Sequence, residues 1–116
     1  MAGHREQRVN EEVKRELTAV LRQLKDPRIS GMVSVLKTNV TKDLKFCKVY
    51  ISVFGDEIAK KDVLKGLNSA KGFIRKEIAS ALSLRVTPEF IFEIDNSLEE
   101  GNRILKMMES LEYHEE

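Results

Sequence analysis

One cysteine, two prolines, two histidines and no tryptophan among 116 residues exclude several kinds of protein at once. With Cys47 as the single thiol no internal disulfide can form, which points to a reducing compartment. His4 and His114 stand at the two ends of the sequence, where chains fray, so neither is placed to serve as a held general base. No apolar run is long enough for a membrane span, and "MAGHREQRVN" has no signal-peptide core, so a cytoplasmic protein is expected. Metal-ligand clusters, a G-x-G-x-x-G and a Walker-type loop are all missing, and neither cofactor nor metal is expected. The S-x-x-K match at Ser34–Lys37 falls in an expected strand without its partner motifs, and "NVT" at Asn39 is a sequon without use off the secretory route. An enzyme is not expected.

What is present suits a soluble globule: 41% apolar and 34% charged residues, enough for one core and one domain over residues 1–116. The net charge of +1 conceals a split. Residues 1–86 hold 18 Lys and Arg against 10 Asp and Glu, whereas residues 87–116 hold 2 against 9. A nucleic-acid binder with a repelling acidic end fits this division, and so does plain unevenness of surface charge.

Val9, Val13, Leu17, Val20, Leu21 and Leu24 recur at helical spacing, predicting an amphipathic helix over about Arg5–Leu24, with Glu11 and Arg15 as an i,i+4 pair. "KDPRISG" should end it, through Pro27 and then Gly31. "MVSVLKTNVT" and "LKFCKVYISVF" read as an antiparallel hairpin turning at Thr41–Asp43. Cys47, Val49, Ile51 and Val53 should share its buried face, and Phe46, Lys48, Tyr50 and Ser52 the other. From Asp56 to Ser83 the apolar positions Val63, Leu67, Ile74, Ile78 and Leu82 keep one helical phase. A straight helix of that length would reach about 40 Å, so a bend is expected at Ala70-Lys71-Gly72. "LRVTPEFIFEI" is a third strand, Pro88 marking an edge or an irregular strand end. Ser97 and Glu100 stand in capping-box spacing at the head of a last helix, about 97–112. The core is expected over about residues 5–95, as a small α+β sheet with helices on one face and the other face open.

Basic residues carry the functional signal. Arg8, Arg15 and Arg22 recur every seven residues along the first helix, Lys25 and Arg28 continue into the loop, and Lys42, Lys45 and Lys48 mark the hairpin. Taken singly, each is an ordinary solvated cation. Lys71, Arg75 and Lys76 differ because they surround Gly72. Glycine inside a helix costs roughly 1 kcal/mol against alanine. Backbone bare of side chain at a helix start lets a phosphate approach free N–H groups, while close packing or a kink alone would also call for glycine. A Gly72→Val change is expected to disturb a positive-φ bend as well as that approach.

"LKDPRI", "TKDLKFCKVYISV", "LNSAKGFIRKEIA" and "LRVTPEFIFEIDNSLEEGNRI", in that order over about residues 5–111, resemble the ribosome-binding factor A family. The resemblance implies a type II KH-like fold, α-β-β-α-α-β, with the G-x-x-G loop shortened to an Ala-x-Gly kink at Ala70-Lys71-Gly72, here followed by a C-terminal helix. It further implies a monomeric, non-enzymatic assembly factor that binds the 30S subunit. Such a factor assists maturation of 16S rRNA at the 5′ region and decoding neck, notably in the cold. RNA contacts are expected at Arg8, Arg15, Arg22, Lys25, Arg28, Lys42, Lys45, Lys48, Lys71, Gly72, Arg75 and Lys76. A helix-turn-helix DNA binder, or an adaptor using Phe46 and Tyr50 on the open sheet face, are the other readings.

Overall fold

In the computed structural model, which describes residues 2–29 and 33–114, the elements follow one another as α-β-β-α-α-β-α. Helix α1 (Ala2–Gln23) precedes the hairpin β1 (Val33–Val40) and β2 (Phe46–Val53). Helices α2 (Glu57–Ser69) and α3 (Lys71–Leu82) then lead to β3 (Glu89–Ile94) and α4 (Ser97–His114). The fold is α+β and KH-like. Strand β2 is central, antiparallel to β1 and parallel to β3. Gly31, expected as a second break after α1, lies outside the described residues.

The core is built on the β2 face that alternation assigned to it. Cys47, Val49, Ile51 and Val53 are buried, with Cys47 beside Phe90, Val49 beside Phe92 and Ile51 beside Ile94 on β3. Val13, Leu17, Val20 and Leu21 of α1 cover this face together with Val63 and Leu67 of α2 and Ile74 and Ile78 of α3. The single apolar phase read across Gly72 is therefore the buried stripe of both helices. On β1 the register slips between Val35 and Lys37, a bulge at Leu36. The extra residue turns Lys37 outward and returns Thr38 and Val40 to the core side.

Polar groups stitch α1 to β1. The Thr38 hydroxyl donates to the Asn10 carbonyl at 2.7 Å, and the Asn10 carboxamide oxygen accepts the Val40 N–H at 2.8 Å. Of the i,i+4 pairs on α1, Arg8–Glu12 forms at 3.5 Å; the expected Glu11–Arg15 pair does not.

"LKDPRI" has a mechanical role. Asp26 accepts the Arg28 backbone N–H at 2.9 Å and grips its guanidinium at 2.6–3.1 Å, which closes the turn and delivers Ile29 into the core. Hydrogen bonds from Arg28 hold the Asp26 carboxyl below its ordinary pKa. Ile29 rests on Gly66 of α2, where an added Cβ would meet Ile29 Cγ1 at 2.9 Å.

Two expected boundaries move. Strand β3 starts at Glu89, not Leu84, since its ladder to β2 begins only beyond Pro88, which has no N–H to give. Ser97 does not cap α4: the first helical bond runs from Glu100 N–H to the Asn96 carbonyl at 3.0 Å, so Asn96 holds the cap position. Asp95 accepts the Ser97 N–H at 2.8 Å, and the Asn96 side chain accepts instead from Lys60 Nζ at 3.1 Å.

Two measurements check this packing. Burial pushes the Cys47 thiol up to about 11, so at pH 8 it is neutral and inaccessible. Iodoacetamide should leave the native protein unmodified over a time in which the urea-unfolded chain is alkylated completely. Gly66→Val should lower unfolding free energy by about 1–3 kcal/mol in urea titrations, because the branched side chain must displace Ile29 from a filled core.

Candidate nucleic-acid interface

The hairpin loop and the entrance to β3 meet at one end of the sheet. In the loop, Thr41 Oγ1 donates to Asp43 at 2.7 Å, Asp43 also accepts the Lys45 N–H at 3.0 Å, and Leu44 takes a left-handed φ of 60°. The Thr41 hydrogen bond, followed by the Lys45 N–H, keeps the Asp43 carboxyl below its usual range. Asp43 thus shapes the loop while Lys42 and Lys45 remain exposed. The Lys45 carbonyl accepts the Glu89 N–H at 2.8 Å. Two residues before Glu89, the Thr87 carbonyl accepts Arg75 Nη2 at 2.9 Å, which draws the first turns of α3 to the same end.

There α2 and α3 join through Ala70 alone, with φ −92° and ψ 2°. Ala70 N–H closes α2 on the carbonyls of Gly66 and Leu67 at 3.0 and 3.2 Å, and its own carbonyl opens α3 by accepting Ile74 N–H at 2.9 Å. No side chain caps α3, and its first turn contains no acidic residue. The helix therefore presents its positive end to solvent with nothing of its own to neutralise it.

Gly72 is the second residue of α3, and two of the explanations for it fall away. Its φ is outside the left-handed region, so the bend does not require glycine, and a Cβ placed there would meet nothing within 4 Å. The positive-φ strain expected for valine at this position is absent. What remains is open space: Gly72, Arg75, Lys76, Ala79 and Thr87 line a shallow depression of about 460 Å³. Lys71 stands half-buried beside it, and Arg75 and Lys76 are exposed. Phe73, which in the sequence stands among the apolar residues with Ile74 and Ile78, is exposed where they are buried. The available signal of this was its place outside the apolar phase of Ile74 and Ile78.

The other expected contacts do not all converge here. On α1, Asn10 touches the Val40 end of β1, which brings Arg8 toward the hairpin end, whereas Arg22 lines a cleft of about 330 Å³ with Val33–Val35 at the opposite end. Between them Arg15 faces solvent along a groove shared with Lys14. Lys25 is exposed and Arg28 is held by Asp26. Lys48 lies on the outer sheet face, paired with Glu93 at 3.0 Å and 5.7 Å from the Tyr50 ring centre. Glu93 raises its pKa, mainly by the hydrogen bond between them. Among the described residues no group of three His, Cys, Asp or Glu could hold a metal, and no helix is long and apolar enough to cross a membrane.

The family model for ribosome-binding factor A matches residues 5–108. The chain belongs to the ribosome-binding factor A family. It is 51% identical over 116 residues to ribosome-binding factor A of Clostridium botulinum, covering 99% of this chain and 97% of that one. The solution structure of a Thermotoga maritima protein described as a putative ribosome-binding factor A superposes with TM-score 0.70 at 36% identity, over 77% and 85% of the two chains. A homology model of the Thermus thermophilus ribosome-binding factor A, fitted into a cryo-EM map of its complex with 30S, superposes at 0.64 with 24% identity, over 75% and 91%. That last likeness bears on the fold.

If Gly72 is kept for space, stability should improve without it. Gly72→Ala is expected to raise unfolding free energy by about 0.5–1 kcal/mol in chemical denaturation, alanine being the better helix former with no clash to offset the gain.

Proposed function

We propose that this chain is a non-catalytic assembly factor of the small ribosomal subunit that holds folded 16S rRNA by its phosphates at the start of α3. One observation carries the reading. Gly72 opens an uncapped helix end, free of steric demand, into a depression lined by Arg75 and Lys76, with Lys71 next to Gly72 in the chain. Helix N–H groups and nearby cations together make an anion site, and in RNA the repeating anion is phosphate. Lys42 and Lys45 extend the positive edge along the hairpin, Arg8 adds to it from α1, and Arg15 can continue the track. Membership of the family, and the 30S complex named for the Thermus protein, support the choice of partner.

The contact is to folded RNA rather than to a bare strand. Ordinary KH domains clamp about four nucleotides with a G-x-x-G loop, but one residue joins α2 to α3 and leaves no loop to clamp with. The same brevity argues against DNA reading by a helix-turn-helix, which takes a turn of about 3–4 residues. Phe73 offers one stacking surface beside the phosphate site for a base that is already splayed out. We assign the action, in keeping with the family, to maturation of the 5′ region and decoding neck of 16S rRNA. The protein works there as a cytoplasmic monomer, and its action weighs most in the cold, where wrong RNA pairings are slowest to resolve.

A salt titration tests this. Affinity for protein-free 16S rRNA should fall linearly on logarithmic axes, and Lys71→Ala and Lys76→Ala should each reduce the slope by about one. Lys106→Ala on acidic α4 should leave both slope and affinity unchanged. Arg75→Ala should also weaken folding, since it releases the Thr87 carbonyl. Equal slopes for the wild type and both lysine variants would place the phosphate contacts elsewhere.

A further inference from the structure

The described residues of α4 from Glu100 to Leu111 are all exposed. Ile104, Leu105, Met108 and Leu111 are 55–64% accessible, although four large apolar side chains on one helix would ordinarily lie against a core. The helix stands away from the body. The radius of gyration is 17.1 Å, against about 13 Å for a compact chain of this length, and the long axis is 62 Å. Yet its base is fastened, by Asp95 on the Ser97 N–H and by Lys60 on Asn96. A helix fixed at its base and bare along its side is poised to be covered.

We propose that α4 is a docking helix whose occupant is a protein surface on the small subunit, an apolar groove bordered by lysine and arginine. The partner rests on the small-subunit reading above; the docking mode comes from α4 itself. Ile104, Met108 and Leu111 stand at i, i+4 and i+7, the anchor spacing of a helix laid in a groove, and a flexible Met at the centre adapts to its walls. Charge selects the class of partner. From Asp95 onward the sequence carries 7 acidic against 2 basic side chains, so phosphate repels this end while a basic protein attracts it. A second copy fits poorly. Two acidic helices repel each other, and the stripe from Ile104 to Leu111 covers about one heptad where a coiled coil takes about three or four.

The test replaces the stripe without altering charge or helix propensity: Ile104→Gln, Met108→Gln and Leu111→Gln together, with circular dichroism to confirm that helix content is kept. Wild type and variant are titrated against purified small subunits and against protein-free 16S rRNA at one salt concentration. Affinity for subunits should fall about tenfold or more, as for the loss of central anchors, while affinity for the naked RNA stays within about twofold. A benzophenone amino acid in place of Met107, irradiated on subunits, should cross-link to a basic protein. Equal losses on both probes, no loss on subunits, or cross-links to RNA or to another copy of the chain would each overturn the docking proposal. A wild-type chain that binds neither probe would overturn the small-subunit reading, and the choice of partner with it.

Discussion

Strands β2 and β3 lie side by side and run parallel, and most of the architecture follows from that pairing. Parallel neighbours cannot be joined by a tight turn; the chain must cross back over the sheet to begin the next strand at the end where the last one began. Here the crossover is α2 and α3. As one straight helix it would overshoot a sheet whose strands have 6 to 8 residues, so it breaks at Ala70. The break and the hairpin loop are thereby brought to one end of the sheet. The start of α3 is bare because the crossover had to turn there.

The cations divide by how firmly they are held. Arg28 is locked by Asp26, Lys48 by Glu93, and Arg75 by the Thr87 carbonyl, while Lys42, Lys45 and Lys76 reach into solvent. Exposed ion pairs add little to stability, so these attachments matter more for where the charges sit than for how strongly the fold holds. Arg75 has two places at this end: its Nη2 secures the entrance to β3, and the residue lines the depression beside Gly72. Positive charge gathers at this end, and the acidic helix leaves from the other end of β3. The net charge close to zero thus hides an acidic segment beyond β3 and cations spread over the rest of the molecule.

Much of this was legible in the residues. The alternation of Cys47, Val49, Ile51 and Val53 identified the core face, and the phase kept from Val63 to Ile78 identified a bent helix pair, since both depend on local periodicity alone. The bulge at Leu36 was not legible, because V-S-V-L-K-T-N-V carries no glycine or other mark of an inserted residue. Nor was the cap of α4: Ser97 has the right spacing to Glu100, but Asn96 precedes it and takes the position. At the candidate site the cluster around Gly72 could be read, whereas the scatter of Arg22, Arg28 and Lys48 could not. Which end of the molecule a cation occupies depends on strand order, and strand order is not a local property. Glu93 shows the same limit, claiming Lys48 across the ladder between β2 and β3.

The bond from Val40 to Asn10 has a consequence for how the protein behaves at high concentration. Strand β1 borders the sheet, and the Val40 amide points away from β2, toward the position a further strand would take. Such an unmet amide is an invitation to another chain, and sheets left open in this way stack edge to edge into aggregates. Asn10 answers it from within the same molecule, and α1 lies against the strand it protects. One carboxamide thus removes from this edge a place where another chain could pair.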